Sequence, residues 1–203
     1  MDHNEEVQSD PKVLNEKEDK RQSLGYLRDL VGLVAGVMLV FALLFRVVVV
    51  SGPSMNNTLY HGDLLVVLGK VLYSVPERGD VVVISKKSFD DGKPIIKRVI
   101  ATEGQTVDID FDRGVVFVDG KELTEPYCLT PTNLMEGVRF PVVVEEDCVF
   151  VMGDNRNESK DSRSPDIGMV DCREIIGKAI ILLMPGNSKS TGKRDFSRIG
   201  VLS

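Results

Sequence analysis

The amino-acid sequence predicts a mainly β domain that is preceded by one transmembrane helix. Two observations predict it: an apolar stretch at residues 30–50, LVGLVAGVMLVFALLFRVVVV, and a series of short β-branched runs after residue 50. Between residues 51 and 186 no long stretch shows helical periodicity. We therefore expect a disordered tail at 1–25, a transmembrane helix at 26–50, a β domain at 51–187 and a polar, weakly ordered tail at 188–203.

The first segments differ sharply in polarity. Residues 1–23 contain few apolar side chains and many charges, which is typical of a disordered tail. The sixteen residues from Leu30 to Phe45 carry no charge. Because about 20 residues cross the ~30 Å hydrocarbon layer, Tyr26 and Leu27 are expected to extend the helix, and Arg46 to reach the far interface. A buried core helix is the alternative, but the segment has no polar face, which favours a membrane span.

Charged residues before the apolar stretch predict its orientation. The bias of basic residues towards the cytoplasmic side places the N-terminus in the cytoplasm and the β domain outside it. No small-x-small cleavage site follows the apolar run, so we expect a retained anchor rather than a removable signal peptide. The basic residues concerned are Lys12, Lys17, Lys20, Arg21 and Arg28.

Composition narrows the function classes. The chain has 203 residues, 42% of them hydrophobic, no Trp and a net charge of −6. This length accommodates one core of ordinary size, built mostly from Val, Ile and Leu. The negative charge argues against nucleic acid as a partner, since phosphate binding depends on clustered Lys and Arg.

The β domain is expected to be a sandwich or barrel-like fold. Its β-branched runs alternate with turn residues, and Asp119-Gly120 is a hairpin signal between two of them. The predicted strands cover residues 63–68, 80–85, 95–101, 106–111, 115–118, 142–144, 149–152 and 175–183.

Metal binding and disulfide bonding have little support in the sequence. The three cysteines, Cys128, Cys148 and Cys172, form no C-x-x-C pair, and only His3 and His61 could join them. We therefore expect no metal and no cofactor. The odd number leaves at least one thiol unpaired in a monomer, and both free thiols and one disulfide remain open.

Ser54 is the first candidate for chemistry. It lies in SGPSMNNTL, where glycine, proline and two asparagines indicate a turn directly after the membrane-proximal segment. Met55 and Leu59 could hold this turn against a core. A serine in a turn is more often only a turn residue, so the position needs a partner before it indicates catalysis.

Lys97 is the candidate partner. In a strand IIKRVIA, Lys97 shares a face with Ile95 and Val99, while Arg98 points to the other face. One of the two cations must then stand among apolar neighbours, unless both snorkel on an edge strand. A desolvated lysine has a lowered pKa, and its neutral amine can take a proton from a hydroxyl, which arginine cannot do.

The loop GDNRNESKDSR, residues 153–163, is the third polar feature. It combines two Asp, two Arg, two Ser and two Asn, which can tie a loop together by charge-assisted hydrogen bonds. The spacing does not fit an EF-hand, and the arginines oppose cation binding. We interpret the loop as a scaffold for a nearby site. A Ser-His-Asp triad would depend on His61 alone, which favours the Ser–Lys variant of nucleophilic catalysis.

Taken in order after one membrane span, these segments resemble the type I signal peptidase family of bacteria, in its single-span, Gram-positive-like form. The resemblance rests on Ser54-Met55 with Thr58-Leu59, GDLLVV, RGDVVVI, IIKRVIATEG, VFVMGDNRNESKDSR and IIGKA. These motifs extend over residues 26–183. The family usually reads S-M-x-P-T-L, whereas Asn57 stands in the proline place here, and the loss of proline is expected to make the turn less rigid.

The resemblance implies a role for each matching residue. Ser54 would be the nucleophile, its N–H would help to hold the oxyanion, and Lys97 would be the general base. Ser159 would orient Lys97 through a hydrogen bond. Some relatives add an oxyanion donor at the place of Gly52, where glycine offers no hydroxyl. The residues implied to hold the loop are the Asp161–Arg163 ion pair, Asp154 and Arg156.

The resemblance also implies the substrate and the location. The substrate would be an exported preprotein, whose signal peptide would lie extended beside residues 47–52 and 94–96 and be cleaved after a small residue, as in Ala-x-Ala. The lipid bilayer of the plasma membrane would be a second partner, and the export machinery is left open as a third. The residues implied to contact the substrate are Val50, Gly52, Met55, Pro94, Ile95 and Ile96.

Two other functions fit parts of the sequence. A self-cleaving repressor-type Ser–Lys protease would carry a DNA-binding N-terminal domain, where this chain has an apolar segment. A catalytically silent, membrane-anchored β domain that binds exported chains would match the altered turn at Asn57. Activity of variants at Ser54 and Lys97 separates these functions.

Overall fold

The computed structural model describes residues 11–128, 130–187 and 192–202, and the chain divides after Leu43 into two compact units. The described part of the first unit is one helix, α1, Pro11–Leu44, whose last residue falls in the second unit. Proline suits the first helical position, where its missing N–H has no intrahelical partner to lose. Within α1, the 21 residues Leu24–Leu44 are long and apolar enough to cross a membrane.

Both predicted boundaries of the helix differ from the structure. Residues 11–25, predicted as part of the disordered tail, are helical, and residues 1–10 lie outside the described part. The helix ends at Leu44 instead of residue 50, and Phe45–Val49 form strand β1. The valines explain the change, because β-branched side chains suit a strand, and here each residue of β1 pairs with β2.

The second unit consists of antiparallel strands and short 3-10 turns. The turns are Asp90–Gly92, Arg156–Glu158, Cys172–Glu174 and Phe196–Arg198. The strands after β1 are β2 Leu64–Gly69, β3 Val81–Ile84, β4 Ile95–Thr102, β5 Thr106–Asp110, β6 Val115–Val118, β7 Lys121–Glu122, β8 Val142–Val143, β9 Cys148–Met152, β10 Val170–Asp171, β11 Ile175–Met184 and β12 Gly200–Val201.

The strands form two sheets. The large sheet has the order β1-β2-β11-β3-β4-β9-β10, with β12 paired to β11, and the small sheet has the order β7-β6-β5-β8. All eight predicted strands are present, each within one residue of its predicted bounds. The predicted hairpin at Asp119-Gly120 joins β6 to β7, and both residues have positive φ, 52° and 74°, as a tight primed turn requires.

The prediction of a polar, weakly ordered C-terminal tail is wrong for residues 192–202. These residues form a 3-10 turn and β12, which pairs with β11 through Val201 and Gly200. Leu202 packs against the core. Backbone pairing with β11 and the packing of Leu202 against the core explain the difference, since neither contact is visible in the local polarity of the sequence. Residues 188–191 lie outside the described part.

Three buried clusters of Val, Ile, Leu, Met and a few aromatic residues fill the β unit. One of them joins Val50, Met55 and Leu59, which flank Ser54, to Ile96 of β4. It therefore fixes the turn that carries Ser54 to the strand that carries Lys97. All three cysteines are partly exposed free thiols.

Gly177 in β11 lies close to the backbone of the neighbouring strand β2. A Cβ built on Gly177 would overlap the carbonyl oxygen of Leu68 and come within 2.9 Å of a methyl group of Val67. We expect Gly177→Ala to lower the free energy of unfolding by about 3 kcal/mol, because backbone must move to admit the methyl group. Denaturant unfolding in detergent measures this change in the free energy of unfolding. The control Gly200→Ala, whose Cβ meets no heavy atom within 4 Å, should change little; equal stabilities would contradict the packing argument.

Candidate active site

Ser54 lies in a tight turn that is held at both ends. Before it, the backbone N–H of Val50 donates to Asp63 O at 2.8 Å; after it, Leu59 N–H donates to Met55 O at 2.8 Å. Met55 and Leu59 are buried at 1% and 0% exposure, so the apolar pins predicted from the sequence hold the turn against the core. The Ser54 hydroxyl is thereby presented at a fixed place.

Asn57 has a left-handed backbone, with φ of 73°. Asparagine tolerates this region, whereas the proline ring fixes φ near −65°. The residue that replaces the usual proline therefore suits the conformation of this turn, which a proline could not adopt.

The side chain of Lys97 reaches the Ser54 hydroxyl. Lys97 lies opposite Val82 in the pairing of β4 with β3, its residue is 3% exposed, and its Nζ is 2.9 Å from Ser54 Oγ. Burial lowers the pKa of Lys97 to about 8, against the opposing effect of Asp161 and Glu136. An amine with this pKa is neutral in about one molecule in ten at pH 7 and in about half at pH 8, and the neutral form can accept a proton from the hydroxyl.

Behind the lysine, the 153–163 loop forms a buried charge cluster. Arg163 donates to both carboxylate oxygens of Asp161, at 2.8 and 2.9 Å, and both side chains are fully buried. Ser159 Oγ donates to Asp161 Oδ2 at 2.8 Å. Among the described residues, no hydrogen bond joins Ser159 to Lys97 as the resemblance implies; the Ser159 hydroxyl donates to the Asp161 carboxylate.

Gly153 is a site residue that sequence reasoning missed. A Cβ at this position would overlap both Ser159 Oγ and the carbonyl oxygen of Ser54. Its N–H donates to Asp161 Oδ2 at 2.9 Å. Only a residue without a side chain lets the loop approach the Ser54 turn this closely, and the glycine of the GDNR motif was the available signal.

Arg98, the neighbour of Lys97, is also buried, at 1% exposure. The strand alternation predicts one buried cation in this pair, and the structure buries both. The Arg98 guanidinium donates to both oxygens of Asp154, at 2.9 and 2.8 Å, and lies 4.0 Å from the centre of the Tyr127 ring. Thr58 Oγ1 donates to the same carboxylate at 2.5 Å. Asp154 thus connects β4 to the end of the Ser54 turn.

Two further charged residues lie in or beside the 153–163 loop, Arg156 within it and Glu136 next to Arg163. Arg156 binds Glu125 and donates to Thr132 Oγ1 at 2.8 Å, which holds the 125–132 segment. Glu136 Oε1 is buried 3.2 Å from Arg163 Nη2 without hydrogen-bond geometry. Burial, followed by the charge of Asp161, raises the pKa of Glu136. No motif in the sequence marked Glu136.

The residues implied to bind substrate fall into two groups. Val50, Met55 and Ile96 are buried in one cluster beside Ser54, and Gly52 is half-buried next to them. Ile95 packs into a different cluster and Pro94 is exposed. The first group therefore belongs to the core beside Ser54, and the second lies at and just before the start of β4.

Two strand edges near Ser54 are unpaired in the described structure. β1 is the first strand of the large sheet and pairs only with β2. In β4, pairing with β9 begins at Arg98, so no described strand lies on that side of residues 95–97. Unpaired backbone at both places can accept an extended chain.

His61 does not contact Ser54. Its Nδ1 accepts a hydrogen bond from Gly52 N–H at 3.4 Å, and the side chain is exposed. Over the described part of the chain, no group of three His, Cys, Asp or Glu could hold a metal ion.

A serine hydroxyl within hydrogen-bond distance of a buried amine, on a β domain that follows one apolar helix in the chain, defines a serine peptidase. The chain belongs to the family described as "Signal peptidase, peptidase S26", whose model matches residues 23–184. Its relatives include Probable signal peptidase I-1 of Synechocystis, 40% identical over 74% of this chain and 80% of that protein. Signal peptidase I of Bacillus licheniformis is 34% identical over 83% and 93%. A crystal structure of a signal peptidase I from Enterococcus faecalis has a TM-score of 0.42 and 27% identity, over 52% of this chain and 97% of that chain.

Asp154 is the buried anion on which the Arg98 contacts depend. We expect Asp154→Asn to lower the free energy of unfolding by about 3–5 kcal/mol, since it leaves a buried guanidinium without its counter-ion. Urea unfolding in detergent measures the loss. The matched control is Asp166→Asn, which removes only a half-exposed ion pair with Lys160 and should leave the midpoint unchanged. Equal midpoints for the two variants would contradict the assigned role of Asp154.

Proposed function

We propose that the chain is a membrane-bound endopeptidase that removes signal peptides from exported preproteins, with Ser54 as nucleophile and Lys97 as general base. The observation that carries the proposal is the 2.9 Å separation of Lys97 Nζ and Ser54 Oγ at a buried amine. The names of the relatives support the substrate class.

In the proposed reaction, Ser54 Oγ attacks the scissile carbonyl carbon while its proton passes to the neutral Lys97 amine. The Ser54 N–H, for which the described residues offer no acceptor, donates to the oxyanion. The Lys97 ammonium then protonates the leaving amine, and an ester remains on Ser54. Lys97 next takes a proton from water, whose oxygen attacks the ester, and gives this proton to Ser54 Oγ as the ester bond breaks. The signal peptide leaves with a new C-terminal carboxyl group, and Ser54 and Lys97 return to their starting states.

The substrate is proposed to lie extended between the unpaired edges of residues 47–52 and 94–96, with its main chain bonded to both. Val50, Met55 and Ile96 are almost fully buried, so they leave little accessible apolar surface beside Ser54 for a large substrate side chain. A small side chain needs less room, which supports cleavage after Ala-x-Ala-type sequences.

Helix α1 is proposed to anchor the protein in the plasma membrane with the N-terminus in the cytoplasm. Its Leu24–Leu44 segment has the required length and composition, and basic residues precede it. Nine residues separate Leu44 from Ser54 along the chain, a length that allows the proposed nucleophile to act close to the membrane surface, where signal peptides emerge. Contact with the export machinery is a further part of this proposal.

Replacement of the two proposed catalytic side chains tests the mechanism. We expect Ser54→Ala, Lys97→Ala and Lys97→Arg to reduce cleavage of a preprotein by about a thousandfold or more, since each lacks the hydroxyl or a deprotonable base. Detergent-solubilised protein and gel-based cleavage measure the rates. His61→Ala is the control and should keep most of the activity. Normal cleavage by Ser54→Ala would exclude the assigned nucleophile, and a wild-type chain without cleavage would favour a binding domain.

The pH dependence tests the neutral amine. With the pKa of Lys97 at about 8, kcat/KM should rise between about pH 7 and 9, because only deprotonated Lys97 accepts the proton. Glu136 raises this pKa, so Glu136→Gln should shift the rise to lower pH. The matched control is Glu146→Gln, which makes the same change at an exposed glutamate. A flat profile, or a shift of Glu136→Gln to higher pH, would contradict the role of Lys97.

A further inference from the structure

The C-terminal segment, residues 192–202, is built into the β unit next to the Ser54 turn. Arg198 lies in its 3-10 turn and donates to both carboxylate oxygens of Asp63, at 3.1 and 2.6 Å. The guanidinium also lies 4.5 Å from the centre of the Tyr60 ring. Pairing of β12 with β11 and the packing of Leu202 on the core hold the segment in place.

Asp63 transmits this contact to the start of the turn. Its carboxylate is fully buried and also accepts from the N–H groups of Tyr60 and Gly186, both at 2.8 Å. Its backbone oxygen accepts from Val50 N–H at 2.8 Å, and Val50 O accepts from Gly62 N–H at 2.9 Å. Asp63 therefore fixes the last buried residue before the turn.

The same guanidinium reaches the end of the turn. Arg198 Nη2 donates to Thr58 O at 3.2 Å, while the Thr58 hydroxyl donates to Asp154. Thr58 thus lies between two arginine–aspartate pairs, Arg98–Asp154 from β4 and the 153–163 loop, and Arg198–Asp63 from the C-terminal segment. Its N–H closes the turn on Met55 O at 3.0 Å.

We propose that Arg198 is a positioning residue for Ser54: it holds both ends of the nucleophile turn, so that the C-terminal segment completes the active site. This inference rests on the proposed function. Arg198 contacts Asp63, Tyr60 and Thr58 but not Ser54 or Lys97, so its loss should affect the rate of the chemical step more than substrate binding. A displacement of about 1 Å at a nucleophile can cost a hundredfold in rate.

The planar guanidinium is essential to this role. Two oxygens of Asp63 and the carbonyl of Thr58 are bound at once, which an ammonium cannot reproduce with the same geometry. Because the Arg198 side chain is 23% exposed, replacement by alanine leaves a hollow open to solvent, which free guanidinium can enter.

The test uses the full chain in detergent with a preprotein-derived peptide. We expect Arg198→Ala and Arg198→Gln to lower kcat by about tenfold or more, with KM within about twofold, and Arg198→Lys to recover part of the loss. Guanidinium at non-denaturing, millimolar concentration should partly restore kcat of Arg198→Ala. The control is Arg194→Ala in the same segment, which binds Asn187 and should show neither effect. Thermal unfolding of each variant confirms that the β unit is folded.

Each outcome decides the inference. A drop in kcat with rescue by guanidinium supports positioning. Unchanged kcat in Arg198→Ala, or a loss that guanidinium and Arg198→Lys both leave unrepaired, overturns it. The proposed function is judged separately: if Ser54→Ala cleaves like the parent, both proposals fail, whereas an inactive Ser54→Ala with a fully active Arg198→Ala removes only the positioning role.

Discussion

The site depends on the removal of one amine from water. Burial lowers the pKa of Lys97 to about 8, although Asp161, Glu136 and Asp154 all favour its charged form. Two of these three carboxylates are neutralised by arginines, Asp161 by Arg163 and Asp154 by Arg98. The charge of Arg163 also opposes the effect of these carboxylates on the lysine, and desolvation decides the direction of the pKa shift. Charged groups can surround a neutral amine without forcing it to take up a proton only because these charges are paired with one another.

The adjacent residues Lys97 and Arg98 show how one strand serves two needs. Alternation in β4 sends them to different surroundings, and each is buried, but only Arg98 has a carboxylate in bidentate contact. Arginine keeps its charge and can hold Asp154 and the turn, whereas lysine without a bidentate partner can lose its proton. Exchanging the two residue types would leave a permanent charge beside Ser54 and a weaker anchor at Asp154.

Much of the fold could be predicted from the sequence, because strand periodicity and the Asp119-Gly120 turn are local signals. The junction at Leu44 could not, since an apolar run of valines fits a membrane helix and a strand equally well until β2 supplies a partner. At the site, Ser54 and Lys97 stood out only together and through the family resemblance. Contacts that depend on distant segments left no local pattern. Glu136 beside Arg163, Gly153 between two serines, and Arg198 on Asp63 belong to this group.

An unpaired strand edge is normally a liability, because it invites association with other chains. This domain covers residues 98–102 of β4 with β9 and leaves residues 95–97 uncovered, on the strand that carries the amine. β1 likewise ends directly before the turn with its outer edge open. Both open edges lie next to the Ser54–Lys97 pair rather than at the far side of the sheet. In the proposed function the exposed backbone is part of the site: an extended chain that completes the sheet there would bring its own carbonyl carbon to the hydroxyl.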